Sequence, residues 1–449
     1  MRRSTLLSIT ETAAELANGT ASVTGLIAEA QQRIERFNPV YRAFSHLARD
    51  VAQQVSALQT ELDAGKSRGP LHGLAVSVKG NIPVAGLPWT EGTAIHATRV
   101  AQRDAGIVAR ARAAGGVVLG TTTLSELAMY GVTNPFEPMG LNPWDVERTA
   151  GGSSTGAGVA SALGITHVNI GTDSGGSIRN PAAHCGVVGF MPSIGALTAE
   201  GKPNHAPSLS TVSLIARSVA DIDVAFRVLG DARPAVAPAR RVIVLRRLID
   251  TMCDDETLAL FAAALERLAA AGITAIDADI DGWMEGERAA GVVSLFESGQ
   301  ALAHMDISLA SDGIRARAAA AAKLTSEQVE SARTACAVLR ANVSRALRDA
   351  GADAIATPTW PFAAPRIDAV SLDVQGKTVP VDPHRNCFVR AANAIDACAI
   401  TVPMGLYPTA GVPAGLHLAA DRGSESRLLA LAGFVETVLP ALPPAPPLR

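Results

Sequence analysis

The chain has 449 residues, of which 48% are hydrophobic and 18% charged, with a formal net charge of −3 at pH 7. That apolar content is ample for a large buried core, and the near-neutral charge speaks against nucleic acid or an anionic membrane surface as a partner. The five cysteines (Cys185, Cys253, Cys336, Cys387 and Cys398) are odd in number, widely spaced and include no C-x-x-C, which reads as reduced thiols in a cytoplasmic protein with no zinc site.

In chain order, MRRSTLLSITETAAELANG opens the sequence with two arginines but no apolar core of signal-peptide length. Residues 26–37 and 46–64 carry apolar positions at three- and four-residue spacing, which predicts amphipathic helices. AGKSRG (residues 64–69) looks like a phosphate loop, but Thr60 stands where that pattern needs its first glycine; a helix C-cap followed by a turn explains it. LAVSVKG (74–80) alternates as a short strand ending on a lysine. Residues 104–114 predict a helix closed by Gly115-Gly116, and VVLG a strand after it. Strand and helix alternate in this way to about residue 230, the pattern of an α/β layered fold. Residues 255–350 are Ala-rich and poor in glycine and predict several helices, an excursion from one sheet because strand-like segments flank them. Strand and turn signals return in AIATPTWP, AITVPMGLYP and GVPAGLHLAA. Residues 397–420 are free of Asp, Glu, Lys and Arg, but Pro403, Pro408 and Pro413 favour buried strands and turns over a membrane span. LPPAPPLR reads as a polyproline-like tail.

Residues 171–181, GTDSGGSIRNP, raise the question of function. They follow the apolar run VASALGITHVNI (159–170), so their glycines belong to an ordered region rather than a linker. Ordered glycines allow close backbone approach or positive φ. Attack on an amide carbonyl builds negative charge on its oxygen, and preorganised N–H donors stabilise that charge. Ser174-Gly175-Gly176-Ser177 can turn successive N–H groups into one concavity. A serine at its end attacks only if a base takes its proton. No histidine is placed for this task. Lys79 can serve if burial leaves it neutral; the alternative is a solvated lysine at a strand end. GSSTG (152–156) fits G-x-S-x-G with Ser154 at its centre, but the elbow needs a preceding strand, and NPWDVERTA (142–150) is not strand-like.

GPLHGLAVSVKGN, AGGSSTGAGVASALG and GTDSGGSIRNPAAHCGVVGF resemble the amidase signature family. DAGIVARARAAGGVVLGTTTLSELA, SLSTVSLIARSVADID, DAIATPTWP and AGVPAGLHL extend the resemblance along nearly the whole chain. It implies a single large α/β/α domain over residues 1–449, with a central mixed sheet of about ten or eleven strands covered by helices. Within it lie N-terminal helices over 1–70, the signature core over 71–230, a helical variable region over 250–350, and C-terminal strands and tail over 351–449. The resemblance implies a Ser–Ser–Lys triad: Ser177 the nucleophile, Ser153 the middle serine on a cis peptide, and Lys79 the base. The N–H groups of Ser174, Gly175, Gly176 and Ser177 match the oxyanion hole. Asp173 is expected to orient the loop. Arg179 is expected in a structural ion pair, in preference to a clamp for a substrate carboxylate. Met129, Tyr130 and Ser154 are expected to support the site or meet the substrate, and Cys185 to be buried and unreactive.

Three positions depart from the family pattern: Gly80, where aspartate is usual; MPSIGAL (191–197), in place of KPT-x-GR; and Thr155, at the third glycine of GGSSGG. They point away from the amidase component of the transamidosome. The implied reaction is hydrolysis of a carboxamide or carbamoyl-type C–N bond of a small molecule through an acyl-enzyme on Ser177, with no metal or organic cofactor. The alternatives are a subunit that works only with a partner (amidotransferase-like or of the biuret-hydrolase type), an inactive family member that only binds, and a serine esterase of the elbow type. A homodimer is expected by family analogy. The substrate pocket is expected from residues 129–133, 283–345 and 360–384. There Trp360 and Phe362 read as core packing before pocket wall, and Arg315, Arg317 and His304 as a solvated helix face before contacts to an anionic substrate.

Overall fold

Strands that are apolar on both faces must be covered on both faces, and the central strands of this chain meet that condition. The computed structural model describes residues 7–129, 134–230, 236–238 and 240–446. In chain order the strands are β1 (Phe44–Leu47), β2 (Ala75–Lys79), β3 (Val117–Thr122), β4 (Val168–Asp173), β5 (Val188–Met191), β6 (Thr211–Ala216), β7 (Arg241–Val244), β8 (Thr274–Asp277), β9 (Ala354–Pro358), β10 (Ser371–Val374), β11 (Lys377–Pro380), β12 (Cys398–Leu406) and β13 (Pro413–Ala420). Among the described residues, eleven of them form one mixed sheet in the order β1-β3-β2-β4-β6-β5-β12-β13-β9-β7-β8, while β10 and β11 pair as a separate hairpin. This is the mixed α/β sheet expected from the sequence.

β2 lies parallel to both β3 and β4, with Val76 opposite Val168 and Val78 opposite Ile170. Every residue of β2, β3 and β4 is buried. Lys79 and Asp173 therefore leave the sheet at neighbouring carboxyl ends, where open α/β sheets place their ligand crevices. β12 pairs with β5 on one side and β13 on the other, closing the centre of the sheet with a segment more than 200 residues further along the chain.

Three elements differ from expectation. Residues 46–64 are not one helix: β1 pairs antiparallel with β3, and the helix begins at Val51. The backbone groups on the free edge of β3 claim those residues before a helix can. Residues 255–350 hold the helices Asp255–Ala270, Trp283–Leu302, Asp312–Ala321 and Ser326–Ala350, but also the edge strand β8, parallel to β7. The C-terminal region, expected as strands and tail, carries the helix Glu425–Val438, whose Leu428, Leu431, Ala432 and Val435 are buried and which packs on β12.

Candidate active site

The lysine at the end of β2 has no exposed surface. Its Nζ lies 2.7 Å from Ser153 Oγ, 3.0 Å from Thr172 Oγ1 and 3.4 Å from the Thr172 carbonyl oxygen. Burial pushes its pKa down to about 7; Asp173 opposes that fall and the charge of Lys202 adds to it. Near neutral pH a large share of Lys79 is uncharged, so Ser153 can donate to Nζ as well as accept from it.

Ser153 follows a cis peptide bond from Gly152 and shortly precedes the helix Thr155–Ala162. That helix starts hard against backbone: a Cβ on Gly156 would stand 2.1 Å from the Ala43 carbonyl oxygen and 2.6 Å from the Thr123 nitrogen. Thr155, the departure from the family's third glycine, uses its hydroxyl to donate to the Gly151 carbonyl at 2.7 Å. The other two departures are equally local. A Cβ on Gly80 would sit 2.8 Å from Leu124 Cδ2, and Met191 is buried with its sulfur accepting from Asn393 Nδ2 at 3.1 Å.

Ser177 is half-buried and lines one cavity of about 310 Å³ together with Ser153, Thr172, Ser174 and Gly175. The Ser154 N–H donates to the Ser177 carbonyl at 3.1 Å and ties the two serine loops together. The hydroxyl of Ser153 is bonded to Lys79; among the described residues no hydrogen bond joins it to Ser177.

Asp173 organises the glycine loop. One carboxylate oxygen accepts from the N–H groups of Gly175 (3.2 Å) and Gly176 (2.8 Å), the other from Ile178 (3.0 Å). Burial would raise its pKa, but Arg179 and these N–H groups outweigh burial and hold it well below the usual carboxylate range. Gly176 has φ +104, and a Cβ there would meet Val389 at 2.7 Å, so only glycine fits this turn. Two of the four expected oxyanion donors, Gly175 and Gly176, are thus already engaged by Asp173, whereas the N–H groups of Ser174 and Ser177 are not among its donors.

Arg179 is fully buried and outside the cavity. Its five N–H groups are all used. Nε and Nη2 donate to Asp173 at 3.1 and 3.0 Å, Nη2 also to Asn393 Oδ1 at 2.6 Å, and Nη1 to the Val389 carbonyl at 2.8 Å and His417 Nε2 at 2.9 Å. No donor is left for a substrate carboxylate, and the ion pair with Asp173 is the arrangement found. His417 accepts from Arg179, and burial together with that guanidinium holds its pKa well below the ordinary value, so it stands as the neutral tautomer with Nδ1–H toward Thr357.

Met129 lines the cavity. Tyr130 and residues 131–133 lie outside the described residues. Ser154 is buried and its hydroxyl donates to the Thr172 carbonyl at 3.3 Å; no strand precedes its loop. Trp360 and Phe362 are buried and pack edge to face at 5.6 Å, with Trp360 Nε1 donating to Asn180; neither lines the cavity. Arg315 and His304 are exposed, but Arg317 lines the cavity, correcting its assignment to a solvated helix face. Sequence reasoning missed Lys202, Arg385 and Arg390, which also line it, because no local motif marks them. Thr172 stood inside the glycine-rich stretch and could have been singled out there. Cys185 is buried, and burial pushes its thiol pKa far up. Among the described residues no group of three His, Cys, Asp or Glu side chains stands ready to hold a metal ion, and no helix is long and apolar enough to cross a membrane.

The amidase family model matches residues 25–429. The chain is 30% identical to a glutamyl-tRNA(Gln) amidotransferase subunit from Salinispora tropica, over 98% of this chain and 99% of that protein. It is 31% identical to the 2-amino-5-chloromuconic acid deaminase of Comamonas testosteroni, over 96% of each. A crystal structure of an amidase superposes with a TM-score of 0.90 at 27% identity, covering 97% of this chain and all of that one.

Proposed function

The chain belongs to the amidase signature family, enzymes acting on amide C–N bonds, and from that premise we propose that it hydrolyses a carboxamide or carbamoyl-type bond of a small molecule through an acyl-enzyme on Ser177. The observation that carries this reading is the fully buried Lys79, hydrogen-bonded to Ser153, which lines the same small cavity as Ser177. Ser177 Oγ attacks the amide carbon, after its side chain turns to donate to Ser153. Its proton passes to Ser153, whose own proton passes to Lys79. The carbonyl oxygen takes the negative charge toward the N–H groups of Ser174 and Ser177, which are not donors to Asp173. Collapse of the tetrahedral adduct breaks the C–N bond, and the leaving nitrogen takes the proton back through the same relay. Water then enters by the same route, releases the acid and restores Ser177.

A second reading has its own support. The resemblance to the glutamyl-tRNA(Gln) amidotransferase subunit runs the full length of the chain, which favours a protein that releases ammonia only beside a partner. Ammonia release by the isolated chain over carboxamides, carbamates and ureas tests both. The expected result is turnover by wild type and a loss on the order of 10⁴-fold in Ser177→Ala, with hydroxylamine diverting the acyl group to a hydroxamate. Wild-type rates in Ser177→Ala would defeat the serine mechanism. Silence of the isolated chain that ends when a partner is added would favour the second reading.

A further inference from the structure

The cavity is basic, although the chain as a whole carries a net charge of −3. Lys202, Arg317, Arg385 and Arg390 line it, with Asp382 as the acid among the lining residues. Asp382 is paired with Arg385. Lys202 Nζ donates to the Pro203 carbonyl at 3.0 Å and lies 3.4 Å from Ser210 Oγ. Arg390 Nη1 lies 3.3 Å from Glu287, a carboxylate whose pKa burial raises and Arg390 lowers.

Arg317 is different. It is half-buried, and its Nε and Nη2 donate to the neutral hydroxyls of Ser298 (2.7 Å) and Ser294 (2.9 Å), both on the helix Trp283–Leu302. Among the described residues it makes no ion pair, and Nη1 makes no hydrogen bond. Burial pushes its pKa down to about 10, and the charge of Arg390 pushes the same way. Two guanidinium groups thus repel one another in a partly desolvated cavity, and among the described residues Glu287 is the carboxylate paired with either of them. A fold that keeps such a pair gives up stability unless an anion occupies the space.

The position of Arg390 says where that anion sits. A Cβ on Gly175 would stand 3.6 Å from Arg390 Cγ and 3.8 Å from its Nε, so the arginine lies against the serine loop. A Cβ on Gly291 would come 2.8 Å from Nη1, so the absence of a side chain there leaves room for the head group. The serines that hold Arg317 by its Nε and one Nη set the fork of its guanidinium, and a planar carboxylate is the anion that matches such forks.

We propose that Arg317 and Arg390 bind a carboxylate of the substrate, which is therefore the amide or carbamoyl derivative of a small organic acid, with its carboxylate a few atoms from the scissile carbonyl. The proposal rests on the serine reading above and names the substrate class of that site. Calorimetric titration with malonate, succinate and glutarate, each beside its neutral diamide, tests it without turnover. At least one dicarboxylate should bind wild type and Ser177→Ala alike, and more tightly than its diamide. Arg317→Gln and Arg390→Gln should each weaken that acid on the order of 30-fold and leave the diamide unchanged. Arg317→Lys, which keeps the charge but not the fork, should recover part of the loss, and thermal melts confirm that each variant is folded. Diamides binding as well as acids, acids unaffected by both arginine substitutions, or no binding of any of the three acids would overturn the proposal. Turnover surviving in Ser177→Ala would sink the serine mechanism alone and leave the carboxylate site standing.

Discussion

The base role proposed for Lys79 depends on where the lysine is kept. A lysine free in water titrates near 10.5, and burial pushes the pKa of this one down to about 7. Between those values the unfolded chain binds a proton that the folded chain does not, so stability rises with pH through that window, and the full cost of the buried charge is present below pH 7. Lys79→Met removes that cost, on the order of 4 kcal/mol, against the lost hydrogen bonds to Ser153 and Thr172 at about 1 kcal/mol each. The variant should melt higher than wild type at pH 6 and lose the advantage by pH 10; a lower melting temperature at pH 6 would contradict this. At this scale the sequence was informative where partners are close in the chain. Asp173 and Arg179 stand six apart, and the pair could be read from GTDSGGSIR. Asn393 and His417, which take two of the remaining Arg179 donors, lie over 200 residues away and carry no signal of that role. Arg317 looked like any charged residue on an amphipathic helix, and only its approach to Ser294 and Ser298 set it apart.

Elements were legible where one periodicity ran unopposed. The alternation in AVSVK and the glycines after residue 114 marked β2 and the helix Gly106–Ala113 to within a few residues. Where a sheet edge competes with a helical pattern, as at residues 44–51, local spacing misleads, because the pairing partner lies about 75 residues ahead. The helix Glu425–Val438 is tied to the fold by acids near its two ends: Glu425 accepts from the Ser193 N–H at 3.1 Å, and Glu436 from the Val219 N–H at 3.0 Å. Burial raises the pKa of Glu436 to about 7, against the pull of the Val219 N–H, and Asp221 adds to the rise. Its folded value thus exceeds the ordinary 4.5, so stability falls as pH rises between the two and the cost persists above pH 7. Glu436→Gln keeps the acceptor and removes the charge. A gain on the order of 1 kcal/mol, discounted for solvent screening, is expected at pH 8 and none at pH 4; equal effects at both pH values in chemical denaturation would contradict the argument.

For the whole molecule, the mixed sheet and its size were legible from the family resemblance, but its strand order was not. Pairing Ala399 with Met191 is a contact across more than 200 residues, and no local rule announces it. Yet that pairing positions the site, because it brings β12 and the short helix Arg390–Ala394 before it over the serine loop, and with them Asn393 and Arg390. The measurement that bears most directly on the proposed chemistry is intact mass after treatment with a serine-directed fluorophosphonate, on wild type beside Ser177→Ala and Ser154→Ala. A single adduct on wild type and Ser154→Ala, absent from Ser177→Ala, is the expected result. An adduct that persists in Ser177→Ala, or one lost only in Ser154→Ala, would contradict a site built on Ser177, Ser153 and Lys79.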